Sequence, residues 1–169
     1  MLEIRSLIFA TVAMAFVAGF RQSPPLRVPD GQAVLFSAHA EGVQIYESKA
    51  KADTPKALEW VLKAPDATLF DSAGKKIGRH YAGPTWEATD GSKVVGERLA
   101  MSPASRPADI PWLLLKAAST SGSGAMSKVS YIMRIDTQGG VPQRPPRSIG
   151  QESRVRYKAT YIFFGEAIR

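Results

Sequence analysis

Cysteine is absent from the 169-residue chain, and histidine occurs only twice, as His39 and His80. Without cysteine the chain forms no disulfide and offers no thiolate as a metal ligand or nucleophile. A lipid anchor on an N-terminal cysteine is excluded for the same reason. The fold must therefore be stabilised by packing alone.

Long apolar runs are also scarce, because only one occurs, over residues 7–20, and Arg5 precedes it. Its 14 residues fall short of the roughly 20 that a membrane-spanning helix needs. Val17-Ala18-Gly19 supplies the small residues typical of a signal-peptidase site. The predicted organisation is a signal peptide over 1–19, an extended leader over 20–30 and a single β domain over 31–165. This organisation implies export to the periplasm or the extracellular space, with membrane contact only through an uncleaved N-terminal segment.

Signatures of phosphate and nucleic-acid binding are missing as well. Gly122-Ser123-Gly124 lacks the lysine and the following helix of a phosphate-binding loop, and no pattern of a nucleic-acid recognition module occurs. The net charge is +7, with the basic residues spread along the chain. In an exported protein this charge favours anionic lipids or envelope polymers, and no nucleic acid is expected as a partner. The sequence predicts no cofactor.

From residue 33 onward, short apolar runs alternate with turn residues, and none carries the long apolar stripe of a helix. The candidate strands are residues 33–40, 43–46, 58–63, 67–70, 76–81, 85–88, 93–101, 112–118, 129–135 and 157–164. Many short strands without intervening helices predict an all-β fold, either an antiparallel sandwich or a barrel-like single domain. At most short helices are expected, within residues 104–110 or 124–130.

Two connections have the composition of tight hairpin turns. Asp71-Ser72-Ala73-Gly74 ends on a glycine suited to the left-handed conformation, and Asp90-Gly91 is a strong two-residue hairpin signal. The strands on each side of these turns must be antiparallel. Pro111 marks the start of a strand that is apolar on both faces, so we expect Trp112 in the core.

Five motifs occur in order along the chain: G-V-Q-I-Y-E at 42–47, G-R-H-Y-A-G-P-T-W-E at 78–87, D-G-S-K-V-V-G at 90–96, I-P-W-L-L-L at 110–115 and T-Q-G-G-V-P at 137–142. Together they resemble the domain of unknown function 3455 family over residues 28–164. The resemblance implies an exported, β-rich and mostly single-domain protein. It implies no settled activity, substrate or cofactor.

The same resemblance draws attention to Ser48. Relatives in the family commonly carry one cysteine after the Y-E of the first motif and another in the loop before the last strand. Here Ser48 stands at the first place, and the loop near Arg147 contains no cysteine. The resemblance therefore implies that a disulfide has been lost as a pair, and we expect a looser loop than in relatives.

Residues 78–96 combine a histidine, aromatic residues and glycines beside a hairpin, which is typical of a binding surface or a rigid corner. The ligand-binding candidates are His80, Tyr81, Trp86 and Glu87, with Arg79 and His39 as neighbours. The rings of Tyr81 and Trp86 suit a flat ligand, and the guanidinium of Arg79 suits an anion. The turn before Trp86 leaves open whether its ring is exposed. These residues favour a binding or structural module, whose partner would be a small molecule or an envelope polymer.

The alternative is a metal-dependent or hydrolytic enzyme that uses His39 and His80. Imidazole and carboxylate groups together bind zinc, copper or iron, and Glu87 or Asp90 would orient His80 as a general base. No G-x-S-x-G elbow singles out a serine nucleophile among Ser92, Ser119 and Ser123. Nothing in the sequence brings the two histidines together, so no metal site is predicted.

Overall fold

The computed structural model describes residues 26–167. The predicted signal peptide and residues 20–25 of the predicted leader lie outside the described residues. The described part of the chain contains eight β-strands: β1 (Gln32–Ala50), β2 (Leu58–Phe70), β3 (Lys76–Tyr81), β4 (Thr85–Ala88), β5 (Lys93–Ser102), β6 (Trp112–Ser121), β7 (Tyr131–Gly139) and β8 (Glu152–Glu166). Within residues 26–167, no helix has the length and apolar character needed to cross a membrane.

The eight strands form one closed barrel in which each strand pairs with the next along the chain and β8 pairs with β1. Every pairing is antiparallel. The closing pair is long, with Gln32 opposite Glu166 at one end and Glu47 opposite Glu152 at the other. The all-β antiparallel prediction is confirmed, and the closed ring decides for the barrel over the sandwich.

Alternation of side chains along the strands fills the interior of the barrel, because successive residues of a strand point to opposite faces. On β8, Tyr157, Tyr161 and Phe163 are at most 2% exposed. The neighbouring strand β1 places Ala38 beside Tyr161 and Gly42 beside Tyr157. Small residues on one strand therefore leave room for the aromatic rings of the next.

Two strands of the structure each join two of the candidate strands. The candidate strands 33–40 and 43–46 are both part of β1, and 58–63 and 67–70 are both part of β2. Gly42 interrupts the apolar pattern of β1, but a Cβ atom there would lie 2.4 Å from Ala67 Cα. Glycine is thus required for the close approach of β1 to β2 and does not end the strand.

Both predicted hairpins are confirmed as antiparallel pairs, but the second loop is longer than the two residues predicted, since β4 ends at Ala88 and β5 begins at Lys93. Gly74 has a φ of 77° and donates its N–H to the Asp71 carbonyl at 3.0 Å. Gly91 has a φ of 84° and donates its N–H to the Ala88 carbonyl at 3.0 Å. The two segments where at most a short helix was expected, residues 104–110 and 124–130, form turns and irregular structure.

Each of these two segments makes contacts with the barrel in place of helical hydrogen bonds. In the first, the Asp109 carboxylate accepts the Gly139 N–H at 2.6 Å, and the Ile110 N–H donates to the Gly139 carbonyl at 2.9 Å. In the second, Met126 and Val129 are buried in the core. Long-range contacts therefore override the local preference of both segments.

The loops alternate between two ends of the barrel. We call the end with the β1–β2, β3–β4, β5–β6 and β7–β8 loops the open end, and the other the closed end. At the closed end, the loop after β6 folds inward and buries Met126 and Val129. The Asp90 carboxylate accepts the Ala125 N–H at 2.8 Å, and the Ser92 hydroxyl accepts the Met126 N–H at 3.0 Å. These bonds hold the loop across the interior.

Candidate functional site

A cavity of about 470 Å³ occupies the half of the barrel nearest the open end. All eight strands contribute wall residues, and the β3–β4 and β5–β6 loops contribute others. The volume falls in the range of small-molecule sites, roughly 300–1,000 Å³. An eight-stranded barrel is also of the size that holds one small ligand.

Three aromatic side chains form the floor of the cavity. His80 and Trp86 are cross-strand partners on β3 and β4, and their rings stack with centroids 4.2 Å apart and an interplanar angle of 12°. Tyr161 approaches from β8 with its ring edge-on, 5.2 Å from His80 and 5.4 Å from Trp86. All three side chains are buried. Barrel closure thus builds a rigid aromatic surface from residues that are distant in sequence.

His80 is held as a neutral imidazole. Its Nδ1 lies 2.9 Å from the Thr85 carbonyl oxygen, which only accepts, so Nδ1 carries the proton and Nε2 is left as an acceptor. Burial lowers the pKa of His80 to about 3, the Thr85 hydrogen bond opposes this decrease, and the positive charge of Arg134 adds to it. Such a low pKa is poorly matched to general-base catalysis near neutral pH.

Three buried polar atoms of the cavity lining have no hydrogen-bond partner within residues 26–167: Gln44 Nε2, Trp86 Nε1 and the Tyr161 hydroxyl. Two more atoms without partners, Gln32 Oε1 and the Tyr157 hydroxyl, lie outside the lining. Buried polar groups nearly always bond to protein, water or a ligand, and an unpaired one costs about 1–3 kcal/mol. These three residues of the lining therefore carry buried polar groups that the described protein atoms leave unpaired.

Arg134 brings a positive charge to the wall of the cavity. It lies on β7 between Leu113 of β6 and Tyr161 of β8, and it is 8% exposed. Its Nε and Nη2 donate to the Pro111 carbonyl at 3.1 and 2.8 Å. This carbonyl, at the end of the β5–β6 loop, fixes the orientation of the guanidinium.

Three of the predicted site residues lie on the outer face of β3 and β4. Glu87 Oε2 accepts hydrogen bonds from the Tyr81 hydroxyl at 2.7 Å and from Arg79 Nη2 at 2.9 Å. The Tyr81 bond and then the Arg79 bond hold the pKa of Glu87 below its usual value. The Glu87 bond in turn raises the pKa of Tyr81. These three side chains satisfy one another at the surface, and the barrel wall separates them from His80 and Trp86.

The two histidines also lie on opposite sides of the barrel wall. His39 is exposed on the outer face of β1, between the buried Ala38 and Ala40, whereas His80 points inward. No group of three or more histidine and acidic side chains among residues 26–167 is arranged to hold a metal ion. Ser92, Ser119 and Ser123 make no hydrogen bond to His80. The histidines therefore do not form one site.

Sequence patterns do not single out Gln44, Arg134 or Tyr161. Alternation along β7 puts Arg134 and Ile132 on the same face, and both are buried in the structure. Apolar residues also occupy the outer face of β7, so the buried face is not evident from the sequence. The polar residues at inward positions are thus recognisable only once the strands are closed into a barrel.

Trp112 differs from its predicted place in the core. It is half-buried, and it stands at the first position of β6, paired with Ser102 at the last position of β5. The position is at the open end of the barrel, where the wall gives way to the β5–β6 loop. Trp86 takes the buried position instead, with 1% exposure.

Closed antiparallel topology and a ligand-sized interior place the protein in the class of small β-barrels with a cavity at one end. The sequence profile of the family described as "Protein of unknown function (DUF3455)" matches residues 29–165. This match covers most of the chain, so the protein belongs to that family, and the resemblance drawn from the five motifs is confirmed. Among curated proteins, none matches the chain.

Proposed function

We propose that this protein is a binding module that takes up a small, largely apolar molecule inside the barrel. The observation that supports the proposal is the cavity of about 470 Å³ inside the barrel, with the buried Arg134 among its lining residues. Apolar side chains such as Leu113 and Leu115 provide the rest of the wall. A mostly apolar concave site with a few polar groups is the usual architecture of a small-molecule site.

A small molecule is favoured over an envelope polymer as the partner. The cavity is surrounded by strands on all sides, so it admits one compact molecule and not an extended chain. The outer candidates Arg79, Tyr81 and Glu87 already bind one another, which leaves them less available to a polymer. His39 lies apart from them on the outer face of β1.

Binding is tested with N-phenylnaphthylamine, a neutral probe whose fluorescence rises in an apolar site. We expect saturable binding of one probe per chain. Ala64→Trp places a large ring at a cavity-lining position and should weaken binding by about tenfold or more, because the ring occupies the space of the ligand. Ala118→Trp, at an exposed position of β6, is the matched control and should bind like the unmodified protein. Equal binding by the two variants, or no saturable binding at all, would contradict the proposal.

We also propose that the protein acts outside the cytoplasm. The support is the apolar run over residues 7–20 with small residues near its end. Fractionation of cells that produce the full chain, followed by N-terminal sequencing, should find the protein in an exported fraction with its first residue near position 20. A full-length chain confined to the cytosolic fraction would refute export and would leave the binding proposal untouched.

A further inference from the structure

The lining of the cavity contains positive charge and no negative charge. Lys63, Arg98 and Arg134 belong to it, and among residues 26–167 no aspartate or glutamate does. Lys63 and Arg98 are exposed, so water and salt screen them. Arg134 is buried. The electrostatic character of the interior therefore depends mainly on Arg134.

Arg134 has no anionic partner among residues 26–167, since none of the nine ion pairs found there includes it. Its Nη1 makes no hydrogen bond within the same residues, while Nε and Nη2 share the Pro111 carbonyl. A carbonyl orients a guanidinium but does not neutralise it, and buried charges are normally paired. The low pKa of His80, caused first by burial, is lowered further by this charge.

The polar groups buried around Arg134 are mostly donors. Trp86 Nε1, the Gln44 amide nitrogen and the Arg134 guanidinium donate, and the Tyr161 hydroxyl, which interacts with the Tyr157 side chain, both donates and accepts. Tyr161 is the cross-strand neighbour of Arg134, so a cation and a donor occupy adjacent positions in the wall. An oxyanion accepts several such bonds, and bonds that involve a charge are about twice as strong as neutral ones.

Apolar surface surrounds these donors. Leu62 and Met101 stand at the mouth with 50% and 44% exposure, and Leu113 lies further inside next to Arg134. The stacked rings of His80 and Trp86 add a flat aromatic face. The wall thus has one buried cation in an otherwise apolar setting.

We propose that the ligand of this cavity is an apolar organic acid, in which one carboxylate or similar oxyanion pairs with Arg134 and the apolar body packs against the aromatic floor and the leucines. This inference rests on the proposed binding function and specifies its ligand class. The net charge of +7 also attracts an anion towards the protein.

The test uses two naphthalene probes that share one skeleton and differ in charge. Anilinonaphthalene sulfonate carries one oxyanion, and N-phenylnaphthylamine is neutral. At low salt the unmodified protein should bind the sulfonate about tenfold more tightly than the neutral probe, as a buried charge-assisted bond predicts. Decanoate should likewise displace N-phenylnaphthylamine at about one tenth of the concentration that decanol requires. The decanoate arm needs no variant and checks that the preference extends to carboxylates.

Variants then assign the preference to one side chain. Arg134→Gln should abolish the preference for the sulfonate, measured as the ratio of the two probe affinities in the same variant, whereas Arg134→Lys should retain part of the preference. Arg98→Gln removes an exposed cation of the same lining and should reduce the preference only slightly, in a manner that added salt suppresses. Tyr161→Phe removes one hydroxyl without changing the ring and should also weaken the preference for the sulfonate. It provides the test if Arg134→Gln does not fold.

The outcomes separate the two proposals. Neutral probe binding without any preference for sulfonate or decanoate would overturn the acid proposal and leave the binding function standing. A preference that persists in Arg134→Gln would also overturn it, because the anion would then lie elsewhere. Failure of both probes to bind in a saturable way would refute the binding function itself.

Discussion

Neutral, buried His80 links the floor of the cavity to the stability of the fold. Its ring stacks on Trp86 and donates through Nδ1 to the Thr85 carbonyl. Protonation would place a second positive charge in a buried region that Arg134 already makes positive, and for this reason the folded protein resists it. The unfolded chain has no such restriction, because its imidazole is in water.

The stability of the protein should therefore decrease in acid through His80. The folded-state pKa of about 3 lies below the ordinary value of 6.5, so above pH 6.5 both states are neutral and the full stability is present. As the pH falls from 6.5 towards 3, the unfolded chain takes up the proton first, and the free energy of unfolding decreases by up to about 1.4 kcal/mol per pH unit. Urea unfolding at several pH values between 4 and 7 should show this slope.

Replacement of the His80 imidazole separates its contribution to the loss of stability in acid from the contribution of the aspartate and glutamate side chains. His80→Gln should be less stable near neutral pH but should lose less stability on acidification than the unmodified protein does. His39→Gln, on the outer face of β1, controls for the removal of one imidazole. Equal acid slopes for His80→Gln and the unmodified protein would mean that His80 does not titrate as described.

At this scale the sequence could indicate which residue types to examine but not which of them act together. Adjacent positions such as His80 and Tyr81 look like one cluster in the sequence, yet in a strand they point to opposite faces. Gln44 and Arg134 have no local signal, because a polar residue at an inward position looks like any surface residue. Their common site depends on which strands are neighbours across the barrel.

Among the secondary-structure elements, β1 is attached to the loop before β8 through Ser48. The Ser48 hydroxyl donates to the Ser148 carbonyl and accepts the Gln151 N–H at 3.0 Å. The Ser48 backbone also pairs with this turn, donating to the Gln151 carbonyl at 2.9 Å and accepting the Gly150 N–H at 3.0 Å. Hydrogen bonds thus join the two segments that, by the family resemblance, a disulfide joins in relatives.

Ser48→Ala should lower the free energy of unfolding by about 1–3 kcal/mol, because it removes a buried hydroxyl that makes two hydrogen bonds, to the Ser148 carbonyl and from the Gln151 N–H. Ser37→Ala, at an exposed position on the same strand, should change it by less than about 0.5 kcal/mol. Denaturant unfolding of both variants measures the difference. Indistinguishable stabilities would show that the hydroxyl contributes nothing to this attachment.

Strand positions were largely predictable because hydrophobic alternation and turn glycines are local signals. Residues 76–81 and 85–88 are predicted at the bounds found for β3 and β4, since Gly74 and Gly91 fix the flanking turns. The continuity of β1 was not predictable, because the role of Gly42 depends on contact with Ala67 in another strand. The turns at 104–110 and 124–130 were missed for the same reason, as each is held by distant residues.

For the whole molecule, closure of the ring by β1 and β8 creates an interior, and with it the cavity. Local patterns favour an all-β chain but are equally compatible with a sandwich, because they do not reveal that the first and last strands pair. The closed end is filled by Met126 and Val129, whereas the other end is lined by Arg134 and the aromatic floor. This difference between the two ends underlies the functional proposal.

A crystal structure of the full chain with anilinonaphthalene sulfonate would show where an anionic ligand binds. We expect one probe inside the barrel, with its rings near Trp86 and a sulfonate oxygen about 3 Å from a nitrogen of Arg134. A probe bound only on the outer surface, or a barrel whose side chains fill the space beside Arg134 with no room for the probe, would contradict the proposal.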